Sequence, residues 1–216
     1  MADPSGIFDP GFLVALEVLV KIHHIPYPSL PPQGIYFEAL VEEAFRKIKK
    51  PFVEIKPGGT NQPGHDLLVE GKKISLKTQT GKGTKEDLIT ITKLRTMERK
   101  PWEAAALVNR ALEHLSRYDI ILMLRAIWKR PLIHYQLLEI PVETLRLLEH
   151  AEFITAGKAD SLAADVIQNE EIIFRVTFDG SDRKCSITNL RVTSCVMLEE
   201  WDIVIPEEPT RISSTS

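Results

Sequence analysis

The chain has 216 residues, 44% of them apolar and 26% charged, with a formal net charge of -3, the make-up of a globular protein with one well-buried core. That charge argues against a protein that coats nucleic acid indiscriminately, and the two cysteines, Cys185 and Cys195, are too few for a disulfide framework or a zinc site, which fits a reducing cytoplasm. The apolar run "FLVALEVLV" at 12–20 is short, contains Glu17 and follows an acidic leader, which argues against a signal peptide or a membrane span.

An apolar helix is predicted at 10–23, stopped by the proline-rich "IPYPSLPP". A second helix follows at 34–49, where Phe37, Leu40, Val41, Ala44, Phe45 and Ile48 recur at helical spacing. With Phe37 at zero on a helical wheel, the apolar stripe centres near about 10°, and Glu38 falls at about 100°, Glu42 at about 140° and Glu43 at about 240°. Glu38 is therefore the acid closest to the buried edge. A short strand "FVEI", a glycine-rich loop "KPGGTNQPGH" and a hairpin "HDLLVEGKKISLKTQTG" come next.

In that hairpin the alternation of side chains puts Leu67, Val69, Ile74 and Leu76 on one face, and Asp66, Ser75 and Lys77 on the other. A loop of Gly71-Lys72 or of Glu70 to Lys73 sets Asp66 opposite Lys77, and a loop of Glu70-Gly71 sets it opposite Ser75. Any even loop gathers the three polar groups. From Lys72 to Lys100 the chain holds nine basic residues against three acids, a local excess of +6, whereas 199–208 is acidic.

Beyond the basic segment, Pro101 opens a predicted helix that runs to about 117, and "DIILMLRAIW" reads as a strand covered on both faces. A strand "IHYQLLEI" and a helix opened by Pro141 follow. A hairpin then turns at Asp179-Gly180, and the last strand is predicted near "MLEEWDIVI". The fold class is α/β to α+β, a mixed central sheet flanked by helices. The chain divides into an N-terminal helix and linker (1–32), a core (33–128) and a C-terminal extension (129–216), all in one domain.

Hydrolysing a phosphodiester requires a divalent cation on hard oxygen ligands and a positive group beside the phosphate. Asp66 supplies an oxygen, Lys77 the positive group, and Glu38 a second carboxylate. The order helix, three strands, helix, strand over 33–128 resembles the core of the PD-(D/E)XK nucleases, which include most type II restriction endonucleases. Three stretches carry the resemblance: "GIYFE" (Gly34 to Glu38), the glycine-rich approach "GGTNQPGHD" to Asp66, and "SLK" (Ser75-Leu76-Lys77) on the next strand.

That resemblance implies Mg2+ held by Asp66, the Leu76 carbonyl and Glu38, with Lys77 positioning the attacking water. The departure is Ser75, which stands where the family has its second acid, so Glu38, Glu42 or Glu54 must compensate or the site is weakened. The implied activity is sequence-specific cleavage of double-stranded DNA by a cytoplasmic homodimer, because one site cuts one strand and a two-fold pair cuts both. Two alternatives are a DNA-binding module that has lost its chemistry with the acid at 75, and a junction or repair nuclease. Candidate DNA contacts are Lys82 and Lys85 after the SLK strand, and Arg175, Arg183, Lys184, Asn189 and Arg191 in the last hairpin.

Overall fold

The computed structural model describes residues 5–54, 66–97, 102–157 and 160–205. The glycine-rich loop with His65, the basic residues Arg99 and Lys100, Pro101, and the acids Glu207 and Glu208 lie outside the described residues.

Helix α1 (Pro10–His23) begins where the Asp9 carboxylate accepts the Phe12 N–H at 3.0 Å, with proline in the first turn. It buries Phe12, Leu16, Leu19 and Val20. Helix α2 (Ile35–Lys47) starts from Gly34, whose φ of 49° is open to glycine, and buries Phe37, Val41, Ala44 and Phe45 at helical spacing. The rings of Phe12 and Phe45 meet at 4.5 Å between centroids and join the two helices.

Strands β1 (Phe52–Glu54), β2 (Leu67–Val69) and β3 (Lys72–Gln79) follow, then β4 (Leu88–Thr96), α3 (Ala104–Leu115), β5 (Ile120–Lys129) and β6 (Leu132–Pro141). Helix α4 (Val142–Arg146) continues into a short 3-10 turn, and β7 (Ile154–Thr155), β8 (Leu162–Gln168), β9 (Glu171–Asp179), β10 (Lys184–Arg191) and β11 (Val196–Val204) are the remaining strands among the described residues. They form two sheets. One has the order β1-β2-β3-β5-β6-β11 and the other β4-β10-β9-β8-β7. In the first, β3 and β5 are parallel and every other pairing is antiparallel, so this sheet is mixed, as expected.

Strand β5 lies at its centre, and the alternation predicted for a doubly covered strand is visible residue by residue. Ile120, Leu122, Leu124 and Ala126 face a core shared with α1 and α2, and Ile121 and Met123 face a second core shared with α3, α4 and the other sheet. The region beyond residue 129 is built into this frame, since β6 and β11 complete the first sheet and β8 to β10 form most of the second.

Two expectations need correcting. The segment taken as a basic flank contains β4, so among the described residues four strands rather than three lie between α2 and α3, and β4 belongs to the second sheet, paired with β10. Helix α3 begins at Ala104 with Glu103 as its cap rather than at Pro101. Both cysteines are free thiols, Cys185 being buried. Among the described residues, no helix is long and apolar enough to cross a membrane.

Candidate active site

The β2–β3 turn fixes the local geometry. Leu67 pairs with Ile74 and Val69 with Lys72, which selects the two-residue loop Glu70-Gly71. Both loop residues have positive φ, 49° and 79°, the conformation whose twist matches a tight hairpin. Leu67, Val69, Ile74 and Leu76 all enter the core under α1 and α2, as their alternation requires.

At the head of β2, Asp66 is tied to β3 twice. Its N–H donates to the Ile74 carbonyl at 2.8 Å, and its Oδ2 accepts the Leu76 N–H at 2.6 Å. The carboxylate is thus held against the backbone between Ser75 and Lys77. From that strand the Lys77 Nζ donates to Ser75 Oγ at 3.0 Å and to the Leu76 carbonyl at 3.2 Å. Ser75 is only 1% exposed, so its hydroxyl serves the Lys77 ammonium rather than solvent. Ser75, where the resemblance leads one to expect an acid, instead accepts a hydrogen bond from the lysine.

Glu38 joins them from α2. Burial is the main cause that raises its pKa above the ordinary carboxylate range, the Asp66 carboxylate raises it further, and Lys77 opposes both. The half-buried Glu38 therefore lies within electrostatic reach of both hairpin groups. Glu42 and Glu54 are engaged elsewhere, because the Arg46 guanidinium donates to Glu42 Oε2 at 3.0 Å and to Glu54 Oε1 at 2.7 Å. The charges of Asp66 and Lys77 both act on the Glu38 carboxyl.

Under this group lies a buried pair on α3 and the turn after it. The rings of His114 and Tyr118 meet edge-on at 5.2 Å. Desolvation, followed by the charges of Arg95 and Lys77, lowers the His114 pKa from 6.5 to about 4, so it is neutral at ordinary pH. Burial likewise raises the Tyr118 phenol, with Cys185 and Asp66 adding to the effect. To one side of the site, a cleft of about 470 Å³ is lined by His23, Tyr27, Tyr36, Gly34 and Thr78 among others. It adjoins the first turn of α2 and the residue after Lys77.

The proposed DNA contacts separate into two groups. Lys82 and Lys85 are exposed on the loop that leaves β3, with Lys82 Nζ 5.7 Å from the Trp128 ring centroid. The others lie on the second sheet and its turn, where three are paired with acids: Arg175 with Asp165 at 2.9 Å, Lys184 with Asp182 at 2.5 Å and Arg191 with Glu171 at 2.7 Å. Arg183 and Asn189 have positive φ, 50° and 56°, in a turn and beside a ladder irregularity. The acidic partners of Arg175, Lys184 and Arg191 all belong to this second sheet and its turn.

Sequence reasoning passed over Gln79, Arg125 and Gln136, which form a polar row across β3, β5 and β6. Arg125 is fully buried, and desolvation lowers its pKa to about 10. The signal was present, because an arginine in the middle of "DIILMLRAIW" has to be satisfied inside the protein.

Comparison with known proteins gives two matches. A family model described as "SmaI: Type II site-specific deoxyribonuclease" matches residues 2–203. The chain is also 31% identical over 151 residues to "Type II restriction enzyme SmaI" of Serratia marcescens, over 67% of this chain and 61% of that enzyme. The match therefore spans about three fifths of the relative's length. No solved structure gives a significant match.

Proposed function

Because the chain belongs to the SmaI family of type II site-specific deoxyribonucleases, we propose that it is a sequence-specific endonuclease. It hydrolyses phosphodiester bonds of double-stranded DNA with Mg2+, through the chemistry of the PD-(D/E)XK nucleases. One observation supports this reading above the rest: the charges of Asp66, at the head of β2, and of Lys77, on β3, both act on the Glu38 carboxyl of α2 beside a cleft.

The donor chemistry suits Mg2+. Asp66 and Glu38 are hard oxygen donors close enough for one carboxylate to raise the pKa of the other, a repulsion that a cation relieves. The Leu76 carbonyl lies in the same neighbourhood, within 3.2 Å of Lys77 Nζ. Among the described residues no group of three or more His, Cys, Asp or Glu side chains is assembled for a metal. Water and phosphate oxygens would therefore complete the shell around Asp66, Glu38 and Leu76, as is usual for Mg2+. The cation would supply Lewis-acid stabilisation of the charge that builds on the phosphate.

The chain's own groups have separate roles. The Leu76 N–H fixes the rotation of the Asp66 carboxylate, so that its other oxygen is presented in a defined direction. Lys77, held by the Ser75 hydroxyl and the Leu76 carbonyl, orients the attacking water and offsets the negative charge of the pentavalent transition state. Glu38 supplies the carboxylate that Ser75 does not. Lys82 and Lys85 contact the DNA at the edge of the site, and the protein works as a homodimer because a duplex presents two strands related by a two-fold axis.

Supercoiled plasmid incubated with the protein and Mg2+ is expected to yield discrete linear fragments. Asp66→Ala and Lys77→Ala should each abolish cutting while leaving salt-sensitive DNA binding in place. Absence of cleavage over varied sequences with Mg2+ and Mn2+ would overturn this reading and leave a DNA-binding module.

A further inference from the structure

We propose that Arg125 is a positioning residue that holds the loop at 80–88 in its DNA-binding shape before DNA arrives. This rests on the endonuclease reading, and concerns how the surface next to the site is prepared. The guanidinium has five N–H donors, and each has an acceptor. Nε donates to Gln79 Oε1 at 3.1 Å, Nη1 to the Glu86 carbonyl at 3.0 Å and to Gln136 Oε1, and Nη2 to the Leu88 carbonyl at 2.7 Å and to the Lys85 carbonyl.

All five acceptors are neutral oxygens. Burying a charge is unfavourable unless every donor is satisfied and counter-charge lies near; the charges of Asp87 and Glu86 act on this guanidinium, and two of its five bonds are made to the loop backbone and a third to Leu88, where β4 begins. A solvent-facing loop has no need of this, since water satisfies its carbonyls. Turning the carbonyls of Lys85, Glu86 and Leu88 inward makes the loop's shape independent of any ligand.

Neighbouring contacts act in the same direction. Gln79 Oε1 also accepts the Thr90 N–H at 3.2 Å, which joins the end of β3 to β4 across the base of the loop. From β5, Trp128 Nε1 donates to the Thr80 carbonyl at 3.0 Å and Lys129 pairs with Glu86 at 2.8 Å. Within the loop, the Thr84 hydroxyl donates to the Gly81 carbonyl at 2.7 Å. Lys82 and Lys85 are left exposed on a segment that begins three residues after Lys77. A loop fixed in advance spares the ordering penalty that a flexible one would bring to binding.

The test uses the full chain with Arg125→Met and Arg125→Lys. Amide hydrogen exchange of the 80–88 segment should accelerate by about tenfold or more in both, with exchange in α1 and β6 unchanged. The KM for plasmid cleavage should rise about tenfold while kcat stays within about twofold, the pattern of lost uniform binding. Lysine should not rescue, because its three donors cannot replace a five-donor fork. Unchanged exchange in the loop, or faster exchange with an unchanged KM, would overturn the proposal.

If Arg125→Met does not fold, Gln79→Leu serves in its place, with a smaller rise in KM expected and an unchanged KM overturning the idea. Lys82→Ala with Lys85→Ala should raise KM without altering loop exchange, and an unaltered KM there would overturn the loop's DNA role. Failure of the wild-type protein to cut any DNA would instead overturn the endonuclease reading, and the exchange data distinguish that outcome.

Discussion

Replacing His114 with leucine gives the most quantitative test of how the core beside Lys77 is packed. His114 is 7% exposed, and its pKa falls from 6.5 to about 4, chiefly through desolvation and then through Arg95 and Lys77. A histidine whose folded pKa is depressed adds stability above its unfolded pKa, and that stability is lost as pH falls towards the folded one, because the unfolded chain takes up the proton first. The interval from 6.5 to about 4 corresponds to about 3 kcal/mol, all of it lost by about pH 4.

With a urea dependence of about 2 to 3 kcal/mol per molar, that is a fall of roughly 1 M in the unfolding midpoint. Other groups titrate in the same range, so the informative quantity is the difference between wild type and His114→Leu. At pH 7.5 the two should agree within about 1 kcal/mol, because the lost bond to the Leu94 carbonyl is offset by removal of a buried Nδ1 that has no partner. At pH 4.5 the variant should be the more stable by about 2 kcal/mol. Urea titrations at four pH values measure it, and a wild-type minus variant difference that stays flat from pH 7.5 to 4.5 would refute the reasoning.

Glu38 has the opposite sign. Its pKa is raised in the folded state, so its contribution is complete below about pH 4.5 and is lost as pH rises through the raised value. Glu38→Gln should therefore melt about 2 °C higher than wild type at pH 8 but not at pH 4, allowing for solvent screening of a half-exposed group, while plasmid cleavage falls by about 100-fold or more. Ser75→Ala removes one of the two acceptors that hold Lys77, and should lower kcat about tenfold with little change in KM. Gly71→Ala forces a side chain to φ 79° in the hairpin turn, which should lower stability by about 1 kcal/mol in thermal melts.

Most of the fold was legible because local patterns agree with the tertiary structure. The apolar periodicity of α1 and α2, the Glu70-Gly71 turn and the unbroken apolar run of β5 each carry their own signal. Strand β4 did not. Ile89 and Ile91 begin an alternation, but the next buried residue is Leu94, so the phase slips and Lys93 and Arg95 interrupt what remains. Its partner β10 follows it by 88 to 103 residues along the paired positions and is itself paired with irregular register, so no short window of sequence reports the pairing. Strand β8 was obscured for a different reason. Its buried positions include Ala163 and Ala164, residues with little strand preference.

The site was legible to the extent that it depends on neighbours in the chain. Hairpin parity brings Asp66, Ser75 and Lys77 together for any even loop, and the helical wheel singles out Glu38 as the acid nearest the buried edge. What the wheel cannot supply is that Arg46 lies between Glu42 and Glu54 and occupies both, which leaves Glu38 as the carboxylate beside Asp66. This bears on the serine. A carboxylate at position 75 would be buried next to Asp66 and Glu38, a third negative charge where the second already raises the pKa of its neighbour. A hydroxyl there adds no charge and still accepts from Lys77. With Glu38 as the proposed second acid, a serine on β3 keeps the lysine in place without adding a third buried negative charge.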